Sequence, residues 1–349
     1  MTRLARVTGL DRCGVEVACA VRPLGHVLQV SNGKGASYAE AARGALLEAA
    51  ELAAAEAPGR AALRFASSEE LAAVGERLLP PEALGASGPL ARCRMAWVEG
   101  RDLPTGRPIW VPASAVYCPP ATGSFLGPAA VPWSSNGMGA FSSRGPALRH
   151  ALLEALERDR LARALPAGFT RRSVASSLLD PADLAEAAPR AASLAERIAA
   201  RGFEVFFLDL SAPGDVPVAA ALLADSHAGP VPLTAGYAAG LGAEEALRGA
   251  LLEAAQSRLT DIHGAREDVA PASAADMERL WAWCREARPR RRASAMPRLA
   301  ASGGRAILAL ARRIGRGRSP VVAVALPPPA PGIEVVKVLS PALRRSELL

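Results

Sequence analysis

The sequence predicts an α+β fold built as one domain, and three observations predict it. Three segments share one helical pattern that contains a polar pair three residues apart. Short apolar runs with hairpin-like spacing surround these segments and predict the strands of antiparallel or mixed sheets. The helical segments are spread over most of the 349 residues, so we expect a single interlocked domain over 1–349 with three long helices at its centre.

The strands are predicted from eight runs that are rich in β-branched and other apolar residues. The runs are Val15–Val21, His26–Val30, Cys93–Val98, Pro108–Val111, Phe203–Leu210, Val216–Leu223, Val321–Leu326 and Ile333–Leu339. Pro- and Gly-rich breaks follow at Pro119–Pro128 and Pro327–Gly332. Neither break predicts a domain boundary.

Composition excludes several classes of protein. Half of the residues are apolar (50%) and the mean hydropathy is +0.14, so the chain is globular rather than disordered. No apolar run approaches the roughly 20 residues of a membrane span, and the opening residues lack a signal peptide, so we expect a cytoplasmic protein without a membrane partner. The five cysteines and four histidines are scattered, which disfavours a disulfide framework and a transition-metal site.

One stretch of the chain is strongly basic. Residues 285–318 contain eleven arginines and a single acid, which gives this stretch a net charge of +10 within a total of +7. We expect an insertion or mobile segment whose arginines form a solvated face or bind an acidic peptide or protein. Nucleic acid is disfavoured as a partner because Trp281 and Trp283 are the only aromatic residues near this stretch of the sequence, which is too few to stack on a series of bases.

The helical pattern occurs three times, and each copy carries its polar pair at the same place. The copies are RGALLEAAE (Arg43–Glu51), RHALLEALE (Arg149–Glu157) and RGALLEAAQ (Arg248–Gln256). Residues three apart share a helix face, where two carboxylates repel each other unless water screens them or a cation lies between them. The repeat therefore indicates either a cation site at which the helices meet or three solvated helix surfaces.

A stretch of small and polar residues precedes each copy, and we expect these stretches to be loops that lead into helix N-termini. They are SNGKGAS (Ser31–Ser37), SSNGMGAFSS (Ser134–Ser143) and TAGYAAGLG (Thr234–Gly242). Ser37 with Glu40 predicts a capping box, and Pro146 suits a first helical turn. Loop amides favour anions and paired acids favour hard cations, so magnesium with a nucleotide satisfies both. Lys34 is then a phosphate contact, or otherwise a surface lysine.

These segments resemble the signatures of the YcaO family, ATP-dependent enzymes that activate backbone amides of peptides. The third copy continues into HGARED (His263–Asp268), as in the family. Three further segments are also similar to it: VTGLDRCGVEVACAVRP (Val7–Pro23), WVEGRDLPTGRPIWVP (Trp97–Pro112) and EVVKVLSP (Glu334–Pro341). The opening segment most resembles members that work with a TfuA partner, which implies that a peptide amide becomes a thioamide.

The resemblance implies a YcaO-like nucleotide site with ATP and Mg2+ as cofactors. The implied metal ligands are Glu48, Glu51, Glu154, Glu157 and Glu253. The implied catalytic residues are Glu154, Glu157 and Arg158, although a salt bridge from Arg158 to Glu157 or Asp159 is an equal alternative. The implied nucleotide-binding residues are Lys34, Glu48, Glu51, Ser142, Gln256, Arg258 and Arg266.

The sequence also departs from the family pattern at a few positions. Phe141 and Ser142 stand where glycine and asparagine are usual, Pro146 where an acid is usual, and Gly44 and Gly240 where serine and histidine are common. The leading prediction is thioamide formation on a ribosomally made precursor peptide with a TfuA-like partner. Azoline formation and a non-catalytic protein that binds a peptide or partner are the alternatives, and a homodimer is left open.

Overall fold

Twelve strands and ten α-helices make up the part of the chain that the computed structural model describes, which is residues 1–56, 58, 63–118, 126–128, 131–227, 229–264 and 273–344. The strands are β1 Arg3–Arg6, β2 Glu16–Val21, β3 Val30–Gly35, β4 Leu63–Ala66, β5 Met95–Asp102, β6 Pro108–Pro112, β7 Met138–Phe141, β8 Phe203–Asp209, β9 Val218–Asp225, β10 Leu233–Ala239, β11 Val322–Leu326 and β12 Glu334–Leu339. The helices are α1 Tyr38–Glu56, α2 Ser68–Ala73, α3 Ala113–Val116, α4 Arg144–Ala164, α5 Arg171–Ser177, α6 Leu184–Ala187, α7 Pro189–Ala199, α8 Ala243–His263, α9 Ala274–Glu286 and α10 Gly303–Gly315.

The strands form three sheets in which the paired strands run antiparallel. Their orders are β1-β2-β3, β10-β9-β8 and β4-β5-β11-β12-β7, with β6 added to β5. One long helix lies on each sheet: α1 on β2 and β3, α4 on β7 and β12, and α8 on β9 and β10. The predicted α+β fold with three repeated long helices is confirmed.

A strand precedes each long helix and ends close to its first turn. The prediction that a loop precedes each helix was therefore wrong. The stretches expected to be loops contain the strands β3, β7 and β10. Their glycines allow the backbone to touch the helix: a Cβ on Gly33 would lie 2.0 Å from the carbonyl oxygen of Ala41 and one on Gly139 would lie 2.3 Å from that of Ala147. The small residues serve close strand-to-helix packing, and this requirement looks like loop composition in the sequence.

The predicted helix starts are confirmed, although at α1 Glu40 bonds to the N–H of Ala36 and not, as a capping box would require, to that of Ser37. The Ser37 hydroxyl accepts a hydrogen bond from the Glu40 N–H at 3.3 Å, and Glu40 Oε2 accepts one from the Ala36 N–H at 2.9 Å. Pro146 lies in the first turn of α4, where the missing N–H has no intrahelical partner to lose.

Seven of the eight predicted strands are present with small shifts of their ends. The prediction for His26–Val30 was wrong because this segment is a turn, and only Val30 belongs to a strand. Glu56 holds the turn in place by accepting hydrogen bonds from the His26 N–H at 2.8 Å and from the Arg22 side chain.

The arginine-rich stretch 285–318 includes the end of α9 and all of α10. The apolar face of α10 packs on α4 through the buried residues Leu310, Ala311 and Ile314, whereas Arg305 and Arg312 on its other face are exposed. Movement of this stretch stays a prediction. Among the described helices, none combines the length and apolar character that a membrane crossing needs.

Candidate active site

The first acid of each repeated polar pair accepts a hydrogen bond from the backbone at or beside the strand that precedes its helix. In each pair a backbone N–H donates to a carboxylate oxygen: Asn32 to Glu48 Oε2 at 2.8 Å, Gly137 to Glu154 Oε2 at 3.1 Å and Tyr237 to Glu253 Oε1 at 3.4 Å. Because the strand lies so close to the helix, its N–H groups can reach a side chain on the helix. The glycine-rich strands therefore position the acids.

Each unit of the repeat consists of a long helix and the strand that precedes it. In α1 and in α4, the second acid of the polar pair accepts a hydrogen bond from the strand of the next unit. The Ala140 N–H of β7 donates to Glu51 Oε1 at 2.7 Å, and the Ala239 N–H of β10 donates to Glu157 Oε2 at 3.2 Å. Helix α1 thus contacts β7, and α4 contacts β10. The acids join the first unit to the second and the second to the third.

Helix α8 closes this arrangement into a ring by contacting β3 of the first unit. Asn32 Nδ2 donates to the Thr260 hydroxyl at 3.1 Å, and Lys34 Nζ lies 2.7 Å from Glu253 Oε2. Gln256, half-buried, lies one turn beyond Glu253 on α8. The three units therefore surround one polar region that brings together the five predicted metal ligands and Lys34.

Burial and mutual repulsion change the acidity of this region. Burial, and then the charges of Glu154 and Glu48, hold the pKa of Glu51 well above its ordinary value. Burial raises the pKa of Glu157 to about 7, although the Arg158 charge opposes this rise. Glu157 is therefore protonated over part of the neutral pH range when no cation is bound, and Glu51 holds its proton more tightly than an ordinary glutamate does.

Glu253 behaves in the opposite way. Burial acts to raise the pKa of Glu253, but the charges of Lys34 and Arg158 outweigh it, so that this pKa is below its ordinary value. Arg158 Nε also lies 3.4 Å from Glu157 Oε1. The acid cluster therefore already contains two cationic side chains, and one of them holds an ionised carboxylate.

The donor atoms of the cluster fit magnesium in type. Carboxylate oxygens are the ligands that Mg2+ prefers in proteins. Asn32 Oδ1 is buried and forms no hydrogen bond within the described residues, and Glu157 Oε1 is buried with only the ion pair to Arg158, so both oxygens can accept a cation. No three acidic, histidine or cysteine side chains of the described ranges already converge as a metal site.

Arg258 lies away from this cluster, contrary to the phosphate-facing position that the resemblance implies. Its side chain is completely buried, and its guanidinium lies 2.7 Å from Asp225 and 3.0 Å from Asp11. It also contacts the carbonyl oxygen of Val231 and the ring of Phe203. A guanidinium enclosed by two carboxylates has no exposed N–H for a phosphate, so its contacts tie α8 to β9 and to the N-terminal segment.

The remaining predicted residues are less informative. Ser142 is exposed just before α4. Arg266 lies outside the described residues.

A cavity of about 360 Å3 opens beside the cluster, and no motif in the sequence predicted it. Arg158, Asn136 and Lys337 contribute to its lining. Lys337 is 1% exposed, donates to the carbonyl oxygens of Ser134 and Asn136, and lies over the ring of Trp133. Lys337 was missed as a site residue, although the rarity of lysine in the sequence is a signal that could have found it.

The sequence of 32–344 matches the model of the YcaO cyclodehydratase, ATP- and Mg2+-binding domain. The chain belongs to the YcaO family. A protein of Methanothermobacter thermautotrophicus is 32% identical over 276 residues, which cover 77% of this chain and 68% of that protein. A Rhizobium leguminosarum bv. trifolii protein, named for its position in the tfuA 3′ region, is 28% identical over 98% of this chain and 83% of its own length.

Solved YcaO structures share the fold. YcaO from Methanopyrus kandleri, bound with AMPPCP and Mg2+, superposes with a TM-score of 0.73 at 22% identity, over 97% of this chain and 84% of that one. A heterocyclase in complex with substrate and cofactor gives 0.76 at 19% identity, over 99% of this chain and 50% of that one. The YcaO domain binds ATP and Mg2+, so these are the cofactors of this family.

Proposed function

We propose that the protein uses ATP and Mg2+ to activate a backbone amide of a ribosomally made precursor peptide, which then becomes a thioamide. The observation that carries this proposal is the ring of acids from three helices around one polar region. Family membership, with its ATP- and Mg2+-binding domain, supports the cofactors. An amide carbon is a poor electrophile until its oxygen becomes a leaving group, and ATP supplies the phosphoryl group that makes it one.

The residues divide by charge in this proposal. Glu48, Glu51, Glu154, Glu157 and Glu253 hold Mg2+. Lys34 and Arg158 neutralise phosphate oxygens, where negative charge spreads during phosphoryl transfer. Gln256 and Ser142 offer neutral polar contacts to the nucleotide. The protein's own contribution is thus to position the reactants and to neutralise charge.

The thioamide outcome and the TfuA-like partner have narrower support. The Rhizobium relative in the tfuA 3′ region covers 98% of this chain, and the opening segment resembles TfuA-associated members. In this reaction a sulfur nucleophile attacks the activated carbon, and phosphate leaves with the former amide oxygen. In azoline formation a Cys, Ser or Thr side chain of the peptide attacks instead, and the product has lost water.

The test combines the purified chain, a TfuA-like protein, the precursor peptide, sulfide, Mg2+ and ATP. We expect ATP consumption and a peptide heavier by the difference between sulfur and oxygen in the mass spectrum. Glu154→Gln should abolish both, whereas Glu76→Gln should not, because Glu76 forms an exposed ion pair with Arg64 outside the cluster. A peptide that loses water would establish azoline chemistry, and an unmodified peptide in every combination would contradict the proposal.

A non-catalytic binding protein is the second candidate, and the departures from the family pattern at Ser142 and Pro146 favour it. Calorimetry with AMPPCP and Mg2+ separates the two functions. An active enzyme binds the nucleotide in a metal-dependent way, whereas a bare scaffold shows no such binding.

A further inference from the structure

Lysine is rare in this protein, and both copies lie at the candidate active site. Of 41 basic residues, two are lysines, Lys34 and Lys337, and the others are arginines. Lys34 pairs with Glu253, and the charge of Lys337 acts on Glu51. A chain that uses arginine at every other basic position has lysine only here, which indicates that the site uses a property that arginine lacks.

The two lysines are held in different ways. Lys337 is almost completely buried and donates to two backbone carbonyls, so it is fixed. The Lys34 side chain keeps 29% of its surface exposed, and its ammonium is bonded to Glu253. An ammonium is a compact, hydrated charge on a flexible stem and changes partners readily, whereas a guanidinium binds a carboxylate in a fixed fork. Lys34 is therefore the more exchangeable of the two.

The pairing with Lys34 occupies the carboxylate that a metal would need. Glu253 Oε1 accepts from the Tyr237 N–H, and Glu253 Oε2 accepts from Lys34 Nζ at 2.7 Å. Both oxygens of Glu253 are thus engaged. A divalent cation that takes Glu253 Oε2 as a ligand therefore competes with the Lys34 ammonium for this oxygen.

We propose, building on the ATP site proposed above, that Lys34 is a displaceable counter-ion of the metal site. It holds Glu253 while no metal is bound, and it releases Glu253 to a divalent cation when its ammonium moves to a phosphate oxygen of the nucleotide. The exchange makes the binding of metal and nucleotide cooperative. Each ligand alone must break the ion pair between Lys34 and Glu253, and the ligand that binds first has already broken it for the other. Thermodynamic linkage makes this coupling equal in both directions.

The first test measures Mn2+ binding by electron paramagnetic resonance, with and without AMPPCP, in the wild type and in variants of the full chain. Lys34→Gln should raise the affinity for Mn2+ without nucleotide about tenfold, the size expected from freeing a charged hydrogen-bond acceptor. The increase in affinity on adding AMPPCP should shrink in this variant. Lys34→Arg should bind Mn2+ without nucleotide no better than the wild type, because the fork stays on Glu253.

Arg64→Gln is the matched control, since it removes one positive charge from an ion pair outside the cluster. It should bind Mn2+ like the wild type. An affinity of Lys34→Gln for Mn2+ alone that equals or falls below that of the wild type would overturn the exchange. If the wild type and all variants fail to bind Mn2+ even with AMPPCP, the proposed function itself is wrong and the exchange falls with it.

The second test observes the ammonium directly. Lysine labelled with 13C at Cε gives two side-chain signals in this chain, and the signal that Lys34→Gln lacks belongs to Lys34. Mg2+ with AMPPCP should shift the Lys34 signal by more than AMPPCP alone does. A Lys34 signal that stays unmoved while calorimetry shows Mg2+ and AMPPCP bound would overturn the proposal.

Discussion

At the scale of single residues, Glu157 shows how burial and charge set the properties of the site. The residue is 7% exposed, its Oε2 accepts one backbone hydrogen bond, and its Oε1 forms no hydrogen bond among the described residues but lies 3.4 Å from Arg158 Nε. A carboxylate kept in this way retains its proton to about pH 7. The carboxylate is suited to bind a cation, and without a cation its ionised form destabilises the folded chain.

The first prediction concerns stability without metal. Between the ordinary pKa of a glutamate and about 7, the folded chain holds the Glu157 proton and the unfolded chain does not. Stability therefore falls as the pH rises through this window. Glu157→Gln should remove that loss. The effect of the substitution on the free energy of unfolding of the metal-free protein should be more favourable at pH 8 than at pH 5 by on the order of 1–3 kcal/mol. Urea unfolding with a chelator at both pH values measures this, and Glu76→Gln is the control; parallel behaviour of wild type and Glu157→Gln would contradict it.

The second prediction concerns the metal itself. Burial raises the pKa values of Glu51 and Glu157, so a cation that binds these carboxylates must displace their protons. Affinity for Mg2+ in the presence of AMPPCP should therefore increase from pH 6 to pH 8, and protons should be released. Calorimetry in two buffers with different ionisation enthalpies measures the release. Equal heats in both buffers at pH 6.5 would show that no proton leaves.

At the scale of elements, close contact between a glycine strand and its helix is the repeated structural unit. Gly33 and Gly139 each lie where a Cβ would overlap the backbone of the helix that follows. This contact brings strand N–H groups within reach of the helix acids, as for Asn32 with Glu48. The packing of the element and the position of the acid thus have one cause.

The third prediction tests this unit. Gly33→Ala places a methyl group 2.0 Å from the Ala41 carbonyl oxygen and 2.2 Å from the Ala45 nitrogen, so β3 and α1 must move apart. We expect a loss of stability of roughly 1–3 kcal/mol together with weaker binding of Mg2+ and AMPPCP. Gly145→Ala is the matched control because its Cβ meets nothing within 4 Å. Thermal unfolding and calorimetry measure both effects, and a Gly33→Ala protein as stable as the control would refute the packing argument.

At the scale of the whole molecule, the ring of three units is held from outside the site as well. Asp225 at the end of β9 pairs with both Arg12 and Arg258, and Arg258 also pairs with Asp11. This network, which is buried except for the partly exposed Arg12, joins the segment between β1 and β2 to α8 by charges that water screens little. It thereby supports the contact of α8 with β3 that completes the site.

The fourth prediction separates this structural role of Arg258 from the nucleotide contact that the resemblance implies. Arg258→Met leaves Asp225 and Asp11 with less compensation in a buried place, which should cost about 3–5 kcal/mol of stability. The fraction that stays folded should bind Mg2+ and AMPPCP within about threefold of the wild type. Titration calorimetry at a temperature well below the midpoint of thermal unfolding measures this affinity. A variant of normal stability that no longer binds nucleotide would restore the phosphate role.

Several parts of the fold and the site were predictable from sequence because they depend on local patterns. The 3.6-residue periodicity placed the three helices, Ser37 and Pro146 marked two of their starts, and the repeated polar pairs selected the five glutamates. The strands β3, β7 and β10 were not predictable in this way, since their glycines are explained by a helix that packs against them. His26–Val30 failed for a similar reason: Glu56, 30 residues beyond His26, holds this segment as a turn.

The sequence by itself determined that this is an α+β member of the YcaO family with a threefold repeat of acidic helices, because periodicity and motif spacing are written along the chain. Only the tertiary structure decided which charges meet. It placed Lys34 on Glu253 and Arg158 beside Glu157 Oε1, and it buried Arg258 between two aspartates. These outcomes depend on burial and on distances between residues far apart in the chain, and an ion pair or a pKa has no value until the fold sets both.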